Sequence, residues 1–178
     1  ARLSGCDMVT FTSEQLWHCL STVSDPEIPA VSVVDLGIVR ALTWQDDETC
    51  EVTITPTYSG CPATQVIAEN IEQALRSLGV EKISIRTQLS PAWTTNWMSA
   101  SGREKLRAFG IAPPAFCSSS TQSAIDISGL GNRDATQIDC PQCGSSHTRL
   151  LSQFGSTACK ALYRCNECLE PFDYFKPH

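Results

Sequence analysis

The sequence has no apolar run that approaches the roughly 20 residues needed to span a bilayer. Its start, ARLSGCDMVTFTSEQ, also lacks the basic stretch and apolar core of an export signal. We therefore expect no membrane association and a cytoplasmic location.

Clusters of basic residues are missing as well. Residues 1–92 hold five Lys/Arg and twelve Asp/Glu, a net charge of −7, whereas residues 93–139 hold four of each and residues 140–178 have a net charge of +1. Binding to a phosphate backbone requires clustered cations. The charge distribution therefore argues against a nucleic-acid partner.

Cysteine, by contrast, is abundant, since the chain has ten. Four of them form two C-x-x-C pairs near the C-terminus, and the others are scattered. In a chain without an export signal, this distribution favours metal binding in a reducing compartment over a disulfide scaffold.

The two pairs define a candidate metal site. Its predicted ligands are Cys140, Cys143, Cys165 and Cys168. Two such turns can place four thiolates in a tetrahedron around zinc, and the 21 residues between them suit a hairpin of HTRLLSQFG and ACKALYRC. A β-rich ribbon over residues 137–178 buries too little apolar surface to fold alone, so the zinc is expected to be structural.

Alternatives remain open for this site. Iron in a rubredoxin-like arrangement could replace zinc, and the pairs could be redox dithiols, although a redox pair does not need a second pair nearby. His147 or Cys159 could also replace a ligand. The symmetric four-cysteine set makes both better suited to be spectators, and Cys159 is expected at a turn or strand start.

The N-terminal part alternates between helix and strand signals. Thr12 and Gln15 form a capping-box pattern that begins a helix over about residues 13–23. LGIVRALTW and TCEVTITPT are rich in strand formers, PATQVIAENIEQALRSLG has helical spacing and ends at Gly79, and EKISIRTQL returns to strand alternation. The order α-β-β-α-β predicts an α+β domain over residues 1–92, with helices packed on a small mixed sheet.

Two segments connect this domain to the ribbon. Residues 93–115 contain Trp93 and Trp97, which either pack back on the first domain or form a partner-docking surface. Ser101 with Glu104 is expected to cap a short helix that ends at Gly110. Residues 116–136 are rich in Ser and Gly and are predicted to be a flexible linker.

The stretch TYSGCPATQV places Cys61 between Gly60 and Pro62, where a strand gives way to a helix. Proline suits the first helical position, so Cys61 is expected at the N-cap. Free backbone N–H groups and the helix dipole would stabilise a thiolate there. This position favours reactivity or metal ligation, and packing remains the alternative.

The motifs D-P-E and V-D-L-G in SDPEIPAVSVVDLGIVR, with G-C-P in TPTYSGCPATQV, resemble in combination the domain of cytosolic iron–sulfur assembly factors of bacteria and eukaryotes. With PAWTTNWMSASGREKLRAFGIAPP and the C-terminal ribbon, the resemblance covers nearly the whole chain. It extends to the PaaD family of phenylacetate-degradation subunits, which accompany the multicomponent phenylacetyl-CoA ring-1,2-epoxidase.

The resemblance implies a maturation role rather than catalysis, in which iron or an iron–sulfur cluster is supplied to the epoxidase. The epoxidase components are di-iron oxygenase subunits and an iron–sulfur reductase. The functional cysteine of the family's G-C-P motif corresponds to Cys61. Asp25, Glu27 and Asp35 fall on the other motifs: the first two are candidate oxygen ligands or turn formers, and Asp35 is expected to be a turn or hydrogen-bond residue.

One thiolate cannot hold a cluster alone, because iron–sulfur clusters usually take four protein ligands. Cys61 is therefore expected to share a labile cluster with a second chain, a small thiol or the client protein. Sharing between two chains would favour a homodimer.

Three functions follow from these observations. The leading hypothesis is a non-enzymatic maturation factor with a functional Cys61 and a zinc ribbon. The second is a structural scaffold subunit of the epoxidase that binds through the tryptophan-bearing segment and ribbon. The third makes Cys61 a nucleophile and is least favoured, because cysteine catalysis generally needs a histidine base and the chain has only three histidines. His18, on the first helix, is expected at the surface.

Overall fold

The computed structural model of the chain describes residues 11–45, 48–114 and 138–177. Its first part has the predicted order of helices and strands. The elements are α1 (Ser13–Ser21), β1 (Val39–Trp44), β2 (Cys50–Ile54), α2 (Thr64–Leu78) and β3 (Ile83–Thr87). The α+β prediction is confirmed. None of the described helices is long and apolar enough to cross a membrane.

The first sheet is small and mixed, as predicted. Strand β2 lies in the centre, antiparallel to β1 and parallel to β3. Val52 and Ile54 of β2 are completely buried, as expected for a central strand covered by helices. The parallel pair needs a crossover between β2 and β3, and α2 supplies it.

The ends of the two helices follow from local chemistry. The capping box is present: the Thr12 hydroxyl accepts from the Gln15 N–H, and the Gln15 side chain accepts from the Thr12 N–H. Helix α1 ends at Ser21, two residues before the predicted end. Helix α2 ends where Gly79 adopts a φ of 110°, in the left-handed region that favours glycine.

The helices are held on the sheet by one apolar stripe each. Leu16 and Leu20 of α1 and Ile67, Ile71 and Leu75 of α2 are at most 2% exposed. Burying a side chain of this size stabilises the fold by about 1.5–3 kcal/mol. The stripes therefore supply much of the stability of this unit.

The segment after β3 folds against the first unit. It contains a short 3-10 helix (Thr95–Trp97) and α3 (Ala100–Ala108). The predicted cap, Ser101, is wrong: Ser99 caps α3, because its hydroxyl accepts from the Gly102 N–H. The same hydroxyl donates to Asp35, 64 positions earlier in the chain, so a long-range contact selects the cap.

Both tryptophans pack back on the first unit. Trp93 is 3% exposed, and its indole N–H donates to the carbonyl oxygen of Leu36 at 2.9 Å. The guanidinium of Arg40 lies 3.6 Å from the centre of the Trp97 ring. Of the two predicted alternatives, packing is the one that the contacts support.

The C-terminal part forms a second sheet of four strands in the order β4-β7-β6-β5. The strands are β4 (Ile111–Ala112), β5 (Thr148–Ser152), β6 (Lys160–Cys165) and β7 (Pro171–Phe175). The predicted β5–β6 hairpin is confirmed. Two strands were not predicted: β7 pairs with β6, and β4, contributed by the tryptophan-bearing segment, adds a parallel edge beside β7.

One hydrophobic core is shared by the two sheets, and a second one lies within the ribbon. Phe175 of β7 and Cys159 belong to the same buried cluster as Leu36 and the α2 stripe, and the rings of Trp93 and Phe175 lie 5.9 Å apart. The C-terminal unit is therefore docked on the first. The predicted linker, residues 116–136, lies outside the described residues.

Candidate metal centre and the Cys61 cavity

The four predicted ligands of the C-terminal unit converge. The sulfur atoms of Cys140, Cys143, Cys165 and Cys168 all lie within 4.8 Å of one another. The Cys140–Cys168 sulfurs are 3.7 Å apart and the Cys143–Cys165 sulfurs 3.6 Å apart. Among the described residues, these four cysteines are the only group of cysteine, histidine, aspartate or glutamate side chains close enough together to bind one metal ion.

Zinc fits this arrangement well. A tetrahedron with zinc–sulfur bonds of about 2.3 Å has sulfur–sulfur edges of about 3.8 Å, close to the two distances found here. Four protein ligands complete the coordination sphere, so no open position is left for a substrate or water. A site of this kind stabilises the fold and does not catalyse.

The backbone of both turns supports the thiolates. At the first turn the Gly144 N–H donates to the Cys140 carbonyl at 2.9 Å, and Gly144 has a φ of 74°. At the second, the backbone N–H groups of Cys168 and Glu167 lower the pKa of Cys165 to about 6. The Glu170 N–H acts to lower the pKa of Cys168, but burial and the neighbouring sulfurs outweigh it and raise that pKa to about 12. The sulfurs thus share their protons, and metal binding would release those that remain.

His147 and Cys159, the two residues that could have replaced a metal ligand, are not part of the four-sulfur group. The imidazole of His147 points to Glu167, at 3.0 Å from the carboxylate, with 69% of its side chain exposed. Cys159 lies in the turn before β6, at a strand start as predicted, but it is buried in the shared core instead of joining the four sulfurs.

Cys61 lies just before α2 but not at its N-cap. The helix begins at Thr64, with Ala63 as its N-cap, and residues 61–63 form a separate turn. The Cys61 carbonyl accepts from the Thr64 N–H at 3.2 Å and from the Thr64 hydroxyl at 2.9 Å. Because the turn uses this carbonyl, the N-cap prediction is wrong by two positions.

A small cavity connects Cys61 to the C-terminal unit. Its polar wall carries Asp25, Glu27, Cys61 and Cys159, and apolar residues such as Phe175 close it. The space open to the centre of a water molecule is about 10 Å³, roughly enough for one water. The structure thus brings together the three sequence-predicted site residues Asp25, Glu27 and Cys61, and adds Cys159.

Asp25 has two roles at this cavity. Its Oδ1 accepts from the backbone N–H groups of Glu27 and Ile28, both at 2.8 Å, so the turn-forming role is confirmed. Its Oδ2 has no hydrogen-bond partner among the described residues, although Asp25 is only 7% exposed. This oxygen is not among the fully buried unpaired polar atoms of the described residues, so it keeps contact with water.

The electrostatics of the cavity disfavour negative charge. Burial, with a smaller contribution from repulsion by Glu27 and Asp25, raises the pKa of Cys61, although the Ala63 N–H acts in the opposite direction. Burial also raises the pKa values of Asp25, Glu27 and Cys159. The expectation of a helix-stabilised thiolate is therefore wrong, because burial and the neighbouring carboxylates outweigh the N–H.

Tyr58 completes the surroundings of Cys61. Burial raises the pKa of Tyr58 to about 12, and its hydrogen bond to Cys61 and the nearby acidic groups act in the same direction. The phenol therefore stays protonated near neutral pH. No histidine is among the described residues that line the cavity, and His18 is exposed, as predicted.

Asp35 does not line the cavity. Its Oδ2 accepts from the N–H and hydroxyl of Ser32 and from the Lys105 ammonium at 2.6 Å. It therefore joins its own loop to α3, which confirms a hydrogen-bonding role.

Sequence reasoning missed Cys159. Its surroundings in the sequence, GSTACKA, carry no ligand motif. Only the docking of the C-terminal sheet brings it to Cys61, about 100 positions away.

Each of the two parts of the chain matches a known protein family. Residues 13–85 match the model of the "Iron-sulfur cluster assembly protein" family, and residues 126–176 match the "PaaD zinc beta ribbon domain". A protein of Escherichia coli (strain K12), named as one of the subunits of a "Putative 1,2-phenylacetyl-CoA epoxidase", is 47% identical over 91% of this chain and 91% of its own length. The chain belongs to the PaaD family.

Two further relatives match about half of this PaaD-family chain. A protein of Porphyromonas gingivalis named "Fe-S protein maturation auxiliary factor" is 37% identical over 49% of this chain and 84% of its own length. The solved structure of a domain of unknown function from Bacillus anthracis is 28% identical, with a TM-score of 0.48, over 52% of this chain and 89% of its own length.

Proposed function

We propose that this PaaD-family chain is an accessory maturation factor of the phenylacetyl-CoA epoxidase, which assists insertion of iron or an iron–sulfur cluster into its components. Relatives of both parts support the proposal: one is named as an epoxidase subunit, and three that match the first part are named as Fe–S protein maturation auxiliary factors. The chain itself then performs no catalysis.

The observation that carries the proposal is the position of Cys61. Its thiol is only partly buried and borders a cavity with two carboxylates and a second thiol. Sulfur and carboxylate are ligands for iron, and partial exposure leaves room for ligand exchange with a client. The four-cysteine group includes the exposed Cys143, but its sulfurs complete the coordination sphere of one ion and leave no open position for a ligand from the client.

The ribbon has a different role in the proposal. Cys140, Cys143, Cys165 and Cys168 hold a structural zinc ion, which fixes β5, β6 and β7. Through Phe175 and Cys159 the ribbon closes one side of the cavity. Zinc thereby keeps Cys61 in a defined environment without taking part in transfer.

The proposal is tested by iron content in the client. Cells that lack the native protein would receive wild type, Cys61→Ser or the control Cys19→Ser, whose thiol lies outside the cavity and donates to Ala74. The epoxidase components are then purified and their iron and sulfide are measured. We expect normal metal content with wild type and the control, and a several-fold loss with Cys61→Ser. Equal content with all three would exclude a maturation role for Cys61.

The scaffold alternative has its own support in exposed apolar residues on and after β5. Leu150, Leu151 and Phe154 are 45%, 44% and 68% exposed. A scaffold would dock through these side chains rather than through Trp93. It predicts that Leu150→Lys breaks co-purification with the epoxidase, while Cys61→Ser leaves it intact and metal content normal.

A further inference from the structure

Strand β5 forms one edge of the ribbon sheet, with β6 on one side and no strand on the other among the described residues. Its residues Arg149, Leu150 and Leu151 are all exposed, and the two leucines keep 45% and 44% of their surface in solvent. An uncovered edge strand can pair with an extended segment of another chain, and proteins usually blunt such edges. Here the leucines leave the edge apolar instead.

The backbone groups of Leu150 point away from the sheet. The Asn166 N–H donates to the His147 carbonyl at 2.8 Å, and residues in an antiparallel ladder alternate between bonded and non-bonded pairs. Arg149 and Arg164 are therefore the next bonded pair, and Leu150 turns its N–H and C=O to the outer side. No described segment outside the β5–β6 pair bonds to these two groups, so an added strand can use them.

Two arginines face each other across the β5–β6 pair. Arg149 is directly opposite Arg164, and like charges in that position destabilise a sheet. Within the described ranges neither guanidinium forms an ion pair, and the Arg164 Nε donates only to the Leu169 carbonyl at 3.1 Å. A carboxylate from outside would relieve the repulsion, because the planar guanidinium binds carboxylates through two parallel hydrogen bonds.

We propose that the outer edge of β5 binds an extended, acidic segment of a partner protein, which adds a strand to the ribbon sheet. Because successive side chains of a strand point to opposite faces, the partner residue beside Leu150 is apolar and its neighbour, beside Arg149, is Asp or Glu. Main-chain hydrogen bonds supply the affinity, and the alternation of carboxylate and apolar side chains supplies the specificity.

A second copy of the chain fits this edge poorly. Pairing of two β5 strands would bring two Arg149–Arg164 pairs into one sheet, where their like charges repel. The strand itself, TRLLS, has no acidic residue that could compensate. The charge of the edge therefore selects a partner of opposite charge.

The inference goes beyond the proposed function, because it names the kind of segment that the ribbon binds and not the metal that Cys61 transfers. It applies to a client that is matured and equally to a subunit that is only scaffolded. Peptide binding to the purified chain is measured apart from client iron, so either proposal can fail without the other.

The test uses the full chain with its ribbon filled by Zn²⁺ and a fluorescent synthetic peptide of alternating Glu and Val, about eight residues long, within the usual range of strand lengths. A Lys–Val peptide of the same length is the charge control, and a single-stranded oligonucleotide tests phosphate as the anion. We expect fluorescence anisotropy to show binding of the Glu–Val peptide alone, weakened by salt. Hydrogen exchange of the Leu150 amide should slow in the complex.

The two arginines are tested together. Arg149→Gln with Arg164→Gln should weaken binding of the Glu–Val peptide about tenfold, and Arg149→Glu with Arg164→Glu should transfer the preference to the Lys–Val peptide. Arg86→Gln is the matched control and should match wild type, since Arg86 is exposed on an edge strand of the first sheet but lies opposite Thr53. A merely structural role would lower the thermal stability of the glutamine variant, whereas removal of two like charges should leave it unchanged or raised.

The backbone contribution is tested at Leu150. Leu150→Pro removes the outward N–H without breaking the ladder to β6, and proline is tolerated where an edge N–H faces solvent. Leu150→Ala also removes the leucine side chain but keeps the donor. We expect Leu150→Pro to bind the Glu–Val peptide several-fold more weakly than Leu150→Ala, with equal zinc content and circular dichroism. If Leu150→Pro does not fold, the arginine variants still decide the proposal.

Four results would overturn the inference. The first is equal binding of the Glu–Val and Lys–Val peptides, or no binding at about 1 mM peptide. The second is arginine-dependent binding of the oligonucleotide that exceeds binding of the Glu–Val peptide. The third is equal binding by folded Leu150→Pro and Leu150→Ala. The fourth is a Leu150 amide that is already protected in the free chain, which would mean that the chain itself or a second copy covers the edge; sedimentation distinguishes these two.

Discussion

The chain has two cysteine sites that differ in how they are built. In the ribbon, four sulfurs from two neighbouring turns lie within 4.8 Å of one another, and they can complete the coordination sphere of one ion. At the cavity, two thiols and two carboxylates arrive from three distant segments, and burial opposes their ionisation.

The difference teaches how strongly each set of residues depends on distant contacts. The ribbon ligands are prearranged by two local turns, so releasing an ion from them means unfolding the unit. The cavity residues depend on the docking of two units, so a small shift of the ribbon changes which groups surround Cys61. Under the proposed function, retention follows from local structure and exchange from long-range packing.

The largest effect is expected when a ribbon cysteine is replaced, because the ribbon site contributes far more to stability than Cys61 does. Cys165→Ser removes a ribbon ligand, and the free energy of binding structural zinc, about 10–16 kcal/mol in small zinc domains, is also folding free energy. We expect loss of zinc and unfolding of β5, β6 and β7. Zinc content and circular dichroism measure both. Cys61→Ser, the comparison variant, should keep one zinc per chain and its spectrum; a loss of zinc there would mean that the two sites are not separate.

The docking of the two units is tested by the second prediction. Trp93→Ala removes a ring that is 3% exposed and contacts Phe175, and such truncations cost about 3–5 kcal/mol. We expect a lower urea midpoint and a more accessible Cys159 thiol, since the wall of the cavity loosens. Trp44→Ala, at 46% exposure, should stay within about 0.5 kcal/mol of wild type. Equal effects of the two variants would contradict the shared core.

Two glycines, one in each unit, allow a smaller difference in stability to be compared. Gly37 has a φ of 68°, and a Cβ there would lie 2.4 Å from the Trp97 carbonyl oxygen, whereas Gly144 has a φ of 74° and open space. Gly144→Ala therefore meets only the left-handed penalty, about 1–2 kcal/mol. Gly37→Ala must also shift backbone, so we expect a cost of at least about 2 kcal/mol. Thermal unfolding of both variants checks the order, and a smaller cost for Gly37→Ala would contradict the close approach.

Much of the fold could be predicted because its signals are local. The Thr12–Gln15 capping box and the stop at Gly79 depend on a few neighbouring residues, and the four ribbon cysteines are recognisable by their spacing. The α+β order followed from these signals.

The parts that could not be predicted depend on contacts between distant segments. Ser99 replaces Ser101 as the cap because it also bonds Asp35. Strand β4 has only two residues and exists because β7 lies beside it. Cys159 joins the site only through docking, so no local pattern could indicate it.

The smallest expected effect concerns Asp35, which joins the first unit to α3. Burial acts to raise its pKa, but the bonds from Lys105 and Ser32 outweigh burial and leave the pKa below its usual value. A carboxyl whose folded pKa is lowered contributes stability that is present above its unfolded pKa and lost as the pH falls through the folded pKa.

Asp35→Asn should therefore cost about 1–2 kcal/mol at neutral pH and less as the pH falls below about 4. Urea unfolding of both proteins across this range measures the difference. Lys105→Met, which removes the charge but keeps the stem of the side chain, should reproduce part of the loss. A difference between wild type and Asp35→Asn that stays constant with pH would mean that neither the ion pair at 2.6 Å nor the Ser32 hydrogen bonds lower the pKa of Asp35, and would contradict the stabilised carboxylate.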